Sequence, residues 1–228
     1  MSRLTAALAT DVRLQWRNGF YAATLLVMMV STVLLRWLPA DTARLILPLA
    51  ILTNVVMNTF YFVSGLLLLE RVEGTLVAQR VTPLRPGEYL ASKVVTLTVL
   101  SMAEGLFIAA AVFGIGTWLL TMALGIGLSA ILFCLAGVAV VARYDSVNEF
   151  LLPSVVYTFL LTLPLLGILG LGSAVWYVPH PTQAALALMQ MNLPDTASRW
   201  IYSVGYPSLW IGPAYVWSRR ALLRITQT

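Results

Sequence analysis

Glu104 stands near the centre of a long apolar block, where an acidic side chain costs on the order of 3 kcal/mol on insertion scales. Such a residue faces a bundle interior or a wet cavity. Two readings stand side by side. Glu104 attracts a cationic or zwitterionic substrate, or binds a proton; or it is a protonated or hydrogen-bonded carboxyl that ties helices together. Asn54, Asn58 and Tyr61 share one stripe by helical spacing, with Gly65 on the same face. Side chains of this kind bond across helices, for about 0.6–2 kcal/mol, or line a route for cargo. Little else could do chemistry. Cys134 and His180 are the single residues of their types, so no internal disulfide and no thiolate or histidine-rich metal site can form. His180, between Pro179 and Pro181, reads as a surface residue. Intramembrane hydrolysis needs a metal cluster, a nucleophile–base pair or paired carboxylates, and the chain offers none of these at mid-membrane. It reads as a non-enzyme.

The elements that hold these residues follow from composition. The chain is 60% apolar and 10% charged, against about 25% charged in a soluble domain. The apolar residues come in blocks near the roughly 20 residues a span needs. The expected fold is all-α and polytopic, with six transmembrane helices. They run about 20–38, 45–69, 94–116, 118–142, 149–171 and 200–217. Gly205, Pro207, Gly212 and Pro213 interrupt the last. Ahead of them, Leu4, Leu8, Val12 and Trp16 recur every fourth residue, while Arg13 and Arg17 project elsewhere. That pattern is an amphipathic helix lying in the membrane interface, so residues 1–19 form one unit and 20–228 a transmembrane domain. Pro181–Met191 reads as a short helix with Pro at its start. The first apolar run is preceded by a long charged region and followed by no clear cleavage site, so it reads as a retained span.

The net charge of +5 sits between apolar blocks and not on one polar domain, which argues against nucleic acid. With the N-terminus inside, eleven of the 14 Lys and Arg residues fall on the inner side; only Arg36, Arg44 and Arg199 fall outside. The positive-inside rule then places both termini in the cytoplasm of a cell-membrane protein.

The longest polar stretch, residues 70–93, lies on that inner side. As a bare connector it satisfies the positive-inside rule. As a docking surface it would carry a push from a cytoplasmic partner into two spans. Its run Glu70-Arg71-Val72-Glu73-Gly74-Thr75-Leu76, followed by Pro83-Leu84 and Glu88-Tyr89 and then Lys93, resembles the permease subunits of ABC type-2 exporters. In that family an E-x-x-x-GT-L and a P-L-x-x-x-E-Y element lie between spans two and three. The drug-export branch that includes fluoroquinolone-export permeases is the nearest likeness.

The resemblance implies that residues 2–18 are the interfacial connecting helix. It implies that Glu70, Arg71, Glu73, Gly74 and Thr75, with Arg80 and Pro83 in the same segment, form the region that couples to an ATPase subunit. It implies that Pro181–Met191 belongs to the short external helices before the last span. No G-x-x-x-x-G-K-[ST] run occurs, so ATP and Mg would be bound by a separate ATPase, and this chain would bind no cofactor. A second permease chain, identical or related, would complete the route for a small-molecule substrate. Two other classes stay open: a proton-driven secondary transporter relaying through Glu104, though no internal repeat of the kind common in such folds is found, and a membrane accessory subunit without transport.

Overall fold

The computed structural model describes residues 3–75, 84–191 and 195–227. Every regular element among them is helical. Helix α1 is Arg3–Arg17, and Gly19 at φ 75° turns the chain into α2, Phe20–Trp37. That left-handed conformation suits glycine because it carries no Cβ. Helices α3, Ala40–Val56, and α4, Phe62–Val72, are joined through a π turn, Met57–Tyr61, into one 33-residue rod. Next come α5, Pro86–Phe113, and α6, Trp118–Val141. Helix α7 is Val147–Thr162 and α8 is Pro164–Ile168. Helices α9, Pro181–Met189, and α10, Ala197–Trp200, lead through a π turn at Ile201–Gly205 into α11, Tyr206–Gln227.

Four helices among the described residues are long and apolar enough to cross a membrane: α2, the α3–α4 rod, α5 and α6. The chain is a multi-pass membrane protein. Two of the expected spans differ from their sequence outline. Residues 149–171 do not form one helix. The helix α7 has 16 residues, about 24 Å against a hydrocarbon core of about 30 Å. It stops at Thr162 because Pro164 has no N–H to continue the ladder. The last helix has 22 residues, but its second half carries Ser218, Arg219, Arg220 and Arg224.

The third span begins earlier than its apolar run suggests. Pro86 occupies the first helical turn, where a missing N–H costs nothing, and the Glu88 carboxylate accepts the Arg85 N–H at 2.9 Å. Glu88, Tyr89 and Lys93 are therefore helical, one to two turns inside α5.

Helix α6 is the centre of the bundle. Its Gly137 lies against the π turn: a Cβ there would come within 2.8 Å of the Phe60 carbonyl. Its Gly125 lies equally close to α9: a Cβ there would come within 2.7 Å of the Ala185 carbonyl. Close backbone approach through small residues is how helices gain van der Waals contact where lipid removes the hydrophobic drive. Helix α9 buries Ala184, Ala185, Leu186, Leu188 and Met189 completely, so it is an inserted element of the core. Its N-cap is His180, half-buried, whose Nδ1 accepts the Thr182 N–H at 3.4 Å. That corrects the surface reading of His180. Burial lowers its basicity below the usual imidazole range, and a backbone hydrogen bond with Leu160 partly opposes this. Helices α2 and α7 leave Leu25, Leu26, Val33, Leu152, Val155 and Phe159 exposed, the kind of apolar face that hydrocarbon covers.

Candidate coupling site

Helix α1 turns its polar stripe inward. Asp11 and Gln15, one turn apart, are buried against α5, while Leu4, Val12 and Trp16 stay exposed. Leu8 is half-buried and Arg13 exposed. On α5, Tyr89, Ser92, Lys93 and Thr96 recur at three- and four-residue spacing and share the face that receives α1.

Lys93 is the hub. Its side chain is fully buried, with Nζ 3.0 Å from Asp11 Oδ1 and 2.6 Å from Glu70 Oε1. Nζ also lies 4.6 Å from the centroid of the Tyr89 ring. The second carboxylate oxygens are satisfied as well: Tyr89 donates its hydroxyl proton to Glu70, and Ser92 donates to Asp11. One turn on, Gln15 donates to Thr96 Oγ1 at 2.8 Å and accepts from Tyr21 at 3.1 Å. Two carboxylates and one ammonium leave the cluster one negative charge in excess. The two hydroxyl donors spread that charge, as buried ions require. The network joins three elements: α1 through Asp11, α4 through Glu70, and α5 through Lys93.

The residues of the 70–75 run fan out from this hub. Arg71 pairs with Asp145 and donates to the Tyr144 carbonyl at 2.9 Å, tying α4 to the loop between α6 and α7. Glu73 pairs with Arg17 at 3.2 Å in the open. Gly74 lies just past the end of α4 with φ 71°, its N–H bonded to the Arg71 carbonyl at 3.1 Å, a left-handed helix stop. Thr75 donates to the Glu70 carbonyl at 2.9 Å. Arg80 and Pro83 lie outside the described residues.

The second group of sequence candidates is in the membrane interior. Glu104 and Asn58 are buried together. Asn58 donates its amide to Glu104 Oε2 and accepts from Thr24 at 3.0 Å. This chain of bonds links α5, the π turn and α2. Glu104 Oε1 is buried with no hydrogen-bond partner. Asn54 reaches Ser31 on α2 at 3.3 Å, while Tyr61 meets Thr158 on α7 at 3.2 Å. The stripe thus divides between two neighbouring helices. The two groups are separate, since Glu70 and Lys93 bond within one cluster and Glu104 within the other.

A family model for the fluoroquinolones export permease protein family matches residues 2–226. The chain belongs to that family. Fluoroquinolones export permease proteins from two strains of Mycobacterium tuberculosis are each 30% identical to it over 207 residues, covering 90% of this chain and 87% of theirs. The match to this export permease family runs through α1, the whole 70–93 segment and α11, so it spans both residue groups.

Asp11, Gln15, Ser92 and Lys93 are the residues that sequence reasoning passed over. Lys93 reads from sequence as one more positive charge on the inner side. Its placement at the edge of an apolar run, with Tyr89 four residues before it, is the signal that it points into protein.

Proposed function

We propose that the chain is the transmembrane subunit of an ATP-driven exporter that carries a drug-like, amphipathic molecule outward, as the names of its relatives suggest. A separate ATPase hydrolyses ATP; this chain supplies the route and the handle. In this reading the membrane part has six crossings: α7 with α8 forms the fifth, and the π turn with α11 the sixth. Both termini are cytoplasmic, residues 1–19 are an interfacial helix, and a second permease chain completes the assembly in the cell membrane.

The buried Lys93 hub carries the proposal. A partner pressing on the 70–75 run can move spans only if that run is rigidly tied to them. Glu70 and Arg71 supply such ties: Glu70 to α1 and α5, and Arg71 to the loop before α7. The free energy for switching comes from the different affinity of the partner's nucleotide states for two arrangements of the spans. Arg71, Glu73, Gly74, Thr75, Arg80 and Pro83 form the contact region, and the buried Glu70 passes its motion to the hub.

The test is the assembled complex in proteoliposomes. Changing Glu73 and Arg80 together should abolish substrate-stimulated ATPase activity while leaving membrane insertion intact. Unaltered stimulation in that double variant counts against the handle.

One observation favours a second reading, a proton-coupled carrier: Glu104 keeps one carboxylate oxygen buried and unpaired. Transport by this chain alone, driven by a pH gradient with no ATPase present, would favour it. Failure of Glu104→Gln to slow such transport would remove it.

A further inference from the structure

A slot of about 460 Å³ lies between α6, α9 and α11. Its α11 wall is one helical stripe, Trp210, Pro213, Ala214 and Trp217, at the three-, four- and seven-residue spacing of a single face. Leu132 and Ala136 of α6, one turn apart, and Leu161 of α7 form the opposite wall. The turn at residues 179–182 that starts α9 also lines it. Tyr206, one turn before Trp210, donates to the Pro179 carbonyl at 2.6 Å, so this turn stands at the Trp210 end. His180 is turned to its own helix, which its Nδ1 caps. Among the described residues no Asp, Glu, Lys or Arg lines the slot. Trp210, Pro213 and Trp217 are exposed at its rim, beside exposed Leu209 and Val216 of α11 and Leu160 of α7. In a chain that spans a bilayer, this apolar side meets hydrocarbon.

The Trp217 end is basic. Arg143 does not line the slot but stands over the ring of its last residue. The guanidinium lies 5.6 Å from the centroid of the Trp217 ring and donates to the Tyr157 hydroxyl at 3.3 Å. Arg220 follows Trp217 by three residues and continues the same face of α11 past the slot. Both arginines are exposed, and among the described ion pairs none involves either. The acid nearest Arg143 in sequence, Asp145, is taken by Arg71.

We propose that the slot holds one acyl chain of an anionic phospholipid from the surrounding bilayer, with Arg143 and Arg220 on its phosphate. One face of α11 passes from apolar wall to cation, which is the polarity of a lipid lying along a span. The uncharged interior offers a polar solute no anchor, and its open side borders hydrocarbon. From Trp210 to Trp217 the helix rises about 10 Å, within the roughly 15 Å of a single leaflet. A chain entering at Trp217 therefore ends at the turn before α9, inside the membrane. At the mouth, the cation–π contact with Trp217 holds Arg143 in place, and a guanidinium fork matches phosphate oxygens. Basic pockets between spans near the membrane surface suit anionic headgroups. A zwitterionic headgroup brings an ammonium of its own, which two arginines repel. Such a lipid is a resident of the seam between α6, α7 and α11 and not cargo. The inference rests on the chain's place in a membrane and not on the export reading.

Quenching of tryptophan fluorescence by bromine-bearing acyl chains tests it. The full chain is reconstituted in phosphatidylcholine vesicles that carry a rising fraction of phosphatidylglycerol with brominated chains; brominated phosphatidylcholine is the comparison. Part of the fluorescence should be quenched by the anionic lipid at a mole fraction about fivefold or more below that needed with the zwitterionic one. Changing Trp210 and Trp217 together to Phe should remove that part. Changing Arg143 and Arg220 together to Gln should erase the preference for phosphatidylglycerol. Ala214→Leu, which fills the slot, should bring the two lipids level; Ala136→Leu serves if that variant does not fold. Free glycerol phosphate, the anion without chains, should not relieve the quenching. Equal quenching by the two lipids overturns the proposal. So does a preference that survives the loss of both tryptophans or of both arginines, or that is unchanged in the filled variants. Relief by glycerol phosphate would make this a site for soluble anions and overturns it too.

Discussion

The chain buries acidic side chains in two places and treats them in opposite ways. At the junction of α1, α4 and α5, Asp11 and Glu70 share one ammonium, and each accepts a hydroxyl proton besides. Inside the bundle, Glu104 has only an amide for a partner and one oxygen with none. The first cluster is closed: the ammonium and every carboxylate oxygen have a partner, and removing the ammonium strands both carboxylates. The second is open. Its carboxyl can be replaced by a neutral amide of the same shape without orphaning a charge. Full compensation marks a part that holds its shape. Partial compensation marks one whose state can change, or one that only ties helices, and substitution tells these apart.

The largest effect should come from the closed cluster. Lys93→Met strands two carboxylates in a buried site, and breaking one side of such a pair typically costs about 3–5 kcal/mol. The expected outcome is a large fall in the apparent Tm of the detergent-purified protein. Adding Asp11→Asn and Glu70→Gln to that variant should restore most of the loss, because the stranded charges are then gone. A triple variant no more stable than Lys93→Met would mean that the hub is held by packing and not by charge balance.

The open cluster should respond less. Glu104→Leu removes the acceptor for the Asn58 amide and leaves a buried donor unsatisfied, a loss of about 1–3 kcal/mol. Glu104→Gln keeps a carbonyl for Asn58, so it should leave thermal stability within about 1 kcal/mol of the native value. If Glu104→Gln destabilises as much as Glu104→Leu, the ionised carboxylate is itself part of the fold, and the contrast between the clusters disappears. If Gln is tolerated in the fold but transport fails, the open oxygen has work outside the fold.

Between these lies the Arg71–Asp145 tie, which is half-exposed on the arginine side and open on the other. Arg71→Gln loses the ion pair but can still donate to the Tyr144 carbonyl. A loss of about 1 kcal/mol in thermal stability is expected. In the assembled complex the proposed handle predicts a larger effect on ATPase stimulation than on Tm.

Much of this scaffold could be read before any coordinates. Pro181 announces α9, and Trp118 opens α6, because each boundary rests on local signals. Apolarity begins at Val94, whereas α5 begins at Pro86; a proline at the first turn is the stronger boundary. Residues 149–171 read as one apolar span that Pro164 can kink; in the structure α7 ends at Thr162 and α8 starts at Pro164. The hub itself was not legible. Asp11, Glu70 and Lys93 are brought together only by the packing of three elements, and the periodicity of α1 names its apolar stripe without saying what meets its polar one. A polar stripe on an interfacial helix reads as facing water, and here Asp11 and Gln15 face protein instead.

The smallest effect sharpens the comparison from outside the core. Arg17 and Glu73 join α1 to the end of α4, two of the three elements that Asp11, Lys93 and Glu70 tie together from within, yet their side chains are 62% and 42% exposed. In water, attraction at 3.2 Å is set against side-chain entropy and salt, and exposed pairs typically contribute about 0.2–1 kcal/mol. Arg17→Ala should shift Tm little, and the shift should vanish at high salt, where screening removes what is left of the pair. The stabilisation from Lys93 should persist in the same salt, because no ions reach it. A salt-sensitive Lys93 contribution, or a salt-resistant one from Arg17, would reverse the assignment of lock and ornament between the buried hub and the exposed pair.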